Sequence, residues 1–198
     1  MTVDGALARV IRSATQRSAA AQDERCELCA APVPEDHPHL YETGPAEVRC
    51  VCRPCSVLFA EDGAGEGRYR LVPRRRLRLA PVDTALLGVP VGLVFFVPRP
   101  DGTVTAQGPS PAGAMRWEVD AAAWQQLAGM NAQVAAMTPD VEALLVNTMR
   151  GSDEYWIVPV DDCFRMVALV RREWRGLSGG GRVWPAVERF FAELTERS

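Results

Sequence analysis

Two Cys-x-x-Cys turns, Cys26-Glu27-Leu28-Cys29 and Cys52-Arg53-Pro54-Cys55, constrain this chain more than any other feature. Each turn sets two thiols on one tight backbone knuckle. Two knuckles brought face to face offer four sulfurs, the tetrahedral set that zinc prefers. Five of the six cysteines fall between positions 26 and 55, and the only two histidines, His37 and His39, lie in the connecting loop. Cys26, Cys29, Cys52 and Cys55 are therefore the first candidate ligand set. Cys50 stands two residues before Cys52, on the same side of an extended chain. With His37 and His39, it is a possible additional or substitute ligand. The competing interpretation is a cluster of reduced thiols without a metal.

The spacing leaves the metal open between zinc and iron. A single iron on four thiolates uses the same paired knuckles, as in a rubredoxin-like electron carrier. In such knuckles the residue after each second cysteine is typically Gly. Here those positions hold Ala30 and Ser56, which weighs against iron. A shell closed by four cysteines leaves no coordination position for water, so it argues for a structural role over hydrolysis.

Other catalytic templates find little support. With both histidines in one loop, a Ser-His-Asp or Cys-His arrangement has no other base to draw on. The Gly179–Gly181 run lies between two expected helices and lacks the strand-then-helix context of a phosphate cradle. Cys163 falls on the apolar side of an expected helix and reads as a small core residue. The chain is accordingly read as leaning away from an enzyme.

Composition bounds the remaining classes. A 198-residue chain that is 47% hydrophobic has material for a core of ordinary size. The net charge of -3 argues against a protein built to wrap nucleic acid. All 22 basic residues are Arg, and with the many Ala, Gly, Pro and Val residues this is the usage of a high-GC bacterial genome. The N-terminus lacks the continuous apolar stretch of a secretory signal, and the run Leu86–Val97 is broken by Gly88, Pro90 and Gly92. These features predict a cytoplasmic protein without a membrane span, where paired cysteines serve metals rather than disulfides.

Along the chain, residues 1–22 are expected to contain a helix over 4–21. Residues 23–60 form a cysteine-knuckle module with a hairpin turning at Gly44-Pro45. A helix capped by Ser56 follows Cys55, and a Gly-rich linker runs to Gly67. The segment from 68 onward reads as an α+β domain. It opens on six arginines in Arg68–Leu79, with a strand expected from Arg74 to Leu79. That cluster is either an anionic docking surface, for nucleic acid in one alternative, or an edge strand guarded by charge. Strands are expected at Val89–Pro98, Thr103–Thr105, Met115–Val119 and Tyr155–Val158. Helices are expected from Asp120 to Met130, from Thr138 with Val141, Leu144, Leu145 and Thr148 on one face, from Asp161 to a stop at Gly176, and from Trp184 to Glu196. The fold class is thus α+β: a small zinc-ribbon-like N-terminal module, then a mixed domain with a small antiparallel sheet and about four helices.

The segments CELC, HPHL, CVCRPCSVLF and VPVDDCFRMVALVRREWRGLSGGG together resemble an uncharacterised domain family of high-GC bacteria. Its genes are often found near those of uptake nickel-iron hydrogenases. The resemblance runs from about Cys26 to the last helix and implies no established activity, fold or ligand set. What it implies is a setting, hydrogenase assembly or electron transfer around it, with hydrogenase subunits as possible partners. The expected function is a non-enzymatic metal-binding accessory protein or complex subunit. Trp174, Arg175 and Trp184 are candidate partner contacts, since Trp and Arg commonly anchor interfaces.

Overall fold

A computed structural model of the chain describes residues 24–60, 64–176 and 180–198, in two units that divide between Leu71 and Val72. The helix expected over residues 4–21 lies outside the described residues.

In the first unit, β1 (His39–Glu42) and β2 (Glu47–Cys50) pair antiparallel around the Gly44-Pro45 turn. A third strand, β3 (Tyr69–Leu71), pairs with β1, so the sheet order is β2-β1-β3. Residues 69–71, read from sequence with the following domain, are thus hydrogen-bonded into the cysteine unit. Their side chains explain why. The Tyr69 ring meets Phe59 edge-on at 5.6 Å, and Leu71 packs on a core of Cys26, Leu40, Val51 and Cys52. Helix α1 (Arg53–Val57) starts at the second knuckle, with Cys52 at its N-cap and Pro54 in its first turn. Proline suits that position because it needs no N–H partner there. Ser56 is consequently inside the helix and not its cap, and its hydroxyl donates to the Arg53 carbonyl at 2.9 Å.

One buried carboxylate ties the hairpin together. Glu42 accepts from Arg68 Nε and Nη2 at 2.9 and 2.6 Å, and from Arg49 Nε and Nη2 at 3.0 and 2.9 Å. The Arg68 hydrogen bonds, then those of Arg49, hold its carboxyl below the ordinary range.

The second unit is built on six antiparallel strands: β4 (Leu77–Arg78), β5 (Leu93–Pro98), β6 (Val104–Ser110), β7 (Gly113–Val119), β8 (Glu142–Asn147) and β9 (Glu154–Pro159). Their order is β4-β9-β8-β5-β6-β7. The sheet is therefore larger than the small one expected. Both of its faces are covered. Phe96 lies 6.2 Å from Trp124 on α2 (Ala121–Met130), while its neighbour Phe95 lies 6.5 Å from Phe164 on α4 (Val160–Glu173). A short α3 (Ala132–Ala135) follows α2, and α5 (Gly180–Glu196) packs on α4.

Several expected elements change here. The segment after Thr138 is not a helix but β8, an inner strand with every residue buried. The Arg74–Leu79 strand contracts to Leu77–Arg78 at the sheet edge. Helix α4 begins at Val160, so Asp161 lies in its first turn and Pro159 occupies the cap position. The last helix begins at Gly180, before Trp184. The α2 start is as expected: Asp120 accepts from the Ala123 amide at 2.8 Å.

The arginine-rich segment is largely paired. Arg75 Nε donates to Glu142 at 2.8 Å, Arg76 Nε to Asp162 at 2.7 Å and Arg78 Nη2 to Glu154 at 3.2 Å. Among the described residues, no helix is long and apolar enough to cross a membrane.

Candidate metal centre

The first knuckle is a miniature hairpin. Arg25 bridges Pro32, the Cys26 amide donates to Ala31 at 2.8 Å, and the Ala30 amide returns to the Cys26 carbonyl at 2.7 Å. To close the turn, Ala30 adopts φ 60°, the left-handed region normally given to glycine. Alanine at this position therefore does not prevent the knuckle, and the sequence argument against iron drawn from Ala30 loses its force. The second knuckle is made differently. Cys52 ends the extended chain and its carbonyl accepts from the Ser56 amide at 3.0 Å, so the first turn of α1 carries Cys55 back toward it. The two knuckles are tied through the Glu27 amide, which donates to the Cys50 carbonyl at 2.9 Å, and the Glu27 carboxylate, which accepts from the Cys50 amide at 2.8 Å.

This scaffold brings Cys26, Cys29, Cys52 and Cys55 together, with all four sulfurs within 4.8 Å of one another. Cys29 Sγ and Cys52 Sγ are 3.6 Å apart. Zinc–sulfur bonds of about 2.3 Å imply tetrahedral edges of about 3.8 Å. Four sulfurs at this spacing could hold a metal ion, and the donor chemistry suits zinc and iron alike. None of the cysteines is in a disulfide. Cys26 and Cys52 are buried in the unit's core, whereas Cys29 is exposed and Cys55 partly so.

The electrostatics of the bare sulfurs follow from their crowding. Burial works to raise the Cys26 thiol, but the amides of Cys52, Cys29 and Leu28 and the Cys29 thiol outweigh it and bring it to about 6. Cys55 is pushed up to about 12 by its hydrogen bonds with the Cys52 and Cys29 thiols, with burial adding to them. Cys29 is also raised: the Ala31 amide works to lower it, but the Cys26 and Cys52 thiols prevail. One sulfur collects the negative charge and its neighbours resist a second. A divalent cation reverses that balance, because it favours thiolate at every position.

His37, His39 and Cys50 form a second group, again with one ligand atom from each within 4.8 Å of the others. The register explains it: His39 is the direct cross-strand partner of Cys50, and His37 precedes His39 by two residues. Cys50 is raised by burial, then by the charges of Glu24, Glu27 and Cys26.

The remaining candidates sit in the second unit. Cys163 is fully buried, and burial raises its thiol far above the ordinary value, as expected of an inert core residue. Trp174 Nε1 donates to the Gly176 carbonyl at 2.8 Å, Arg175 Nη1 to the carbonyls of Arg172 and Trp174 at 2.9 and 2.8 Å, and Arg150 stacks over Trp184 at 5.8 Å. These side chains have roles within the unit itself.

Fold and site together define a two-unit α+β protein whose smaller unit carries a four-sulfur cluster suited to a metal ion. A family model described as a family of unknown function (DUF5947) matches residues 25–198, and the chain belongs to that family. No curated protein and no solved structure matches the chain.

Proposed function

We propose that this is a non-enzymatic metal-binding accessory protein or complex subunit, whose first unit is a zinc-ribbon-like module closed by Cys26, Cys29, Cys52 and Cys55. The observation that carries this reading is the approach of all four sulfurs to within 4.8 Å, from two knuckles of independent construction. A complete thiolate shell leaves no site for a reacting water, so the ion serves structure. A role in docking draws support from the exposed Leu28, beside Cys29, and the exposed Val57 and Leu58, just after Cys55. The hydrogenase setting rests on the sequence resemblance alone, and the cytoplasmic location on the N-terminal sequence and the broken apolar run. Co-purification of the tagged chain with the hydrogenase subunits tests the setting.

A second reading, a rubredoxin-like electron carrier on the same cysteines, no longer meets an objection at Ala30, whose left-handed φ gives the first knuckle its backbone shape without glycine. The nucleic-acid alternative has less behind it, since Arg68, Arg75, Arg76 and Arg78 each engage a carboxylate. Elemental analysis and the visible spectrum of protein purified without added metal decide between zinc and iron. The structural reading expects a colourless protein with a zinc ion that is lost when Cys29→Ser is introduced. A red protein containing iron moves the assignment to electron transfer. A protein whose metal content does not change in Cys29→Ser overturns both.

A further inference from the structure

The side chains facing the hairpin from the His37-Pro38-His39 segment do something the four cysteines do not. His37 is buried, with its side chain only 2% exposed, and Nδ1 lies 2.8 Å from the Pro34 carbonyl. A carbonyl only accepts, so Nδ1 carries the proton and Nε2 presents its lone pair. That Nε2 is buried and has no hydrogen-bond partner among the described residues. A buried acceptor left empty is unfavourable unless something electropositive fills the place in front of it. Glu24 Oε2 lies 3.6 Å from the Nδ1 edge of the ring. A carbonyl and a carboxylate on one imidazole nitrogen, with the other nitrogen free, is how histidines that ligate metals are oriented.

The neighbours of that ring carry donor atoms of their own. The His39 ring sits edge-on to His37 at 4.6 Å between centroids, and His39 faces Cys50 across the strand pair. One donor atom from each of the three lies within 4.8 Å of the other two.

We infer that His37, His39 and Cys50 form a second metal site, for one divalent transition ion of the zinc class, held by two imidazoles and one thiolate. This set mixes nitrogen and sulfur, which suits borderline ions and disfavours magnesium or calcium. It also differs from the four-cysteine set in a way that matters for function. Three protein ligands leave one tetrahedral position for water or an incoming donor. The ion at this site is exchangeable, while the ion on four sulfurs is retained. The module therefore holds two ions of unlike lability, and the open position is where an exogenous ligand binds.

Cobalt(II) titration of the full chain, stripped of metal and reduced, tests this. Cobalt reports the number and type of its ligands in the visible spectrum. The wild type is expected to bind two ions per chain, the second giving weaker thiolate charge-transfer absorption than the first and leaving first under a mild chelator. His37→Ala and Cys50→Ser are each expected to bind one ion, with the four-thiolate spectrum retained as proof of fold. If His37→Ala disturbs packing, His39→Gln repeats the test on a half-buried ring. Saturation of the wild type at one ion per chain overturns the inference, as do two ions retained in Cys50→Ser and His39→Gln.

Discussion

Ala30 is the residue at which the knuckle's geometry and the chain's chemistry disagree. Its φ of 60° costs an L-residue about 1–2 kcal/mol relative to the right-handed regions. Ala30→Gly relieves that strain but adds freedom to the unfolded chain, leaving a net gain of roughly 0.5–1 kcal/mol. Ala30→Val, with a branched β-carbon, shifts stability the other way. Urea midpoints of the metal-loaded protein check the pair, and a lower midpoint for Ala30→Gly would count against the left-handed turn. Glu42 gives the residue scale its pH dependence. Its carboxyl lies below the ordinary value in the folded protein because Arg68 and Arg49 stabilise the charged form. A depressed folded value means that the stabilisation is fully present above the unfolded value of about 4.3 and is lost as pH falls through the folded one. The stability gap between wild type and Glu42→Gln should accordingly be widest near neutrality and close in acid. A gap that stays constant from pH 7 to below pH 4 rules out the ion-pair origin.

At the scale of elements, what could be read in advance depended on whether a segment's signal was local. Asp120 as the start of a helix is written in adjacent residues and appears in the structure where expected. The segment after Thr138 reads as a helix in sequence because Val141, Leu144, Leu145 and Thr148 satisfy a helical spacing. A strand buried on both faces has no alternation to oppose that spacing. The two cysteine knuckles were legible for the same local reason. His37, His39 and Cys50 are legible as further candidate ligands, but their grouping apart from the four cysteines is not, because it depends on the hairpin register that sets His39 against Cys50. The arginine-rich segment likewise had its meaning elsewhere in the chain, in carboxylates more than sixty positions away. Arg76 is the most enclosed of these, with its side chain 16% exposed against an Asp162 side chain that is 5% exposed. Removing Arg76 leaves Asp162 only its longer contact with Arg165 at 3.4 Å, so Arg76→Ala is expected to lose about 2 kcal/mol of unfolding free energy, less than for a buried charge left wholly unpaired. A loss under about 0.5 kcal/mol in equilibrium unfolding, the range of exposed pairs, would return this arginine to the surface-docking reading.

For the whole molecule, the two units differ in what holds them together. The second has a large apolar core on both faces of a six-stranded sheet, with Phe95, Phe96, Leu144, Leu145, Trp156 and Ile157 fully buried. Among its described residues, the first has a core cluster of Cys26, Leu40, Val51 and Cys52, with Tyr41 also buried, and two of the cluster are ligands of the candidate metal site. With two cysteines of the candidate site inside that cluster, metal ligation acts as a cross-link whose binding energy is also folding energy. Removing the ion does more than open a site: it leaves crowded sulfurs in the middle of the small core. Hydrogen exchange on the full chain, before and after treatment with a strong chelator and reductant, separates the two cases. Amides of β1, β2 and β3 are expected to lose protection on metal removal, by tenfold or more. Those of β5, β8 and β9 should keep theirs, because nothing in their core is a ligand. Protection retained in β1 and β2 after complete metal removal would mean that the hairpin and its Glu42 ion pairs suffice for the fold, and the four-cysteine ion would no longer be a structural one. Loss of protection in β8 together with β1 would show instead that the larger sheet depends on the metal, against the separate cores described above.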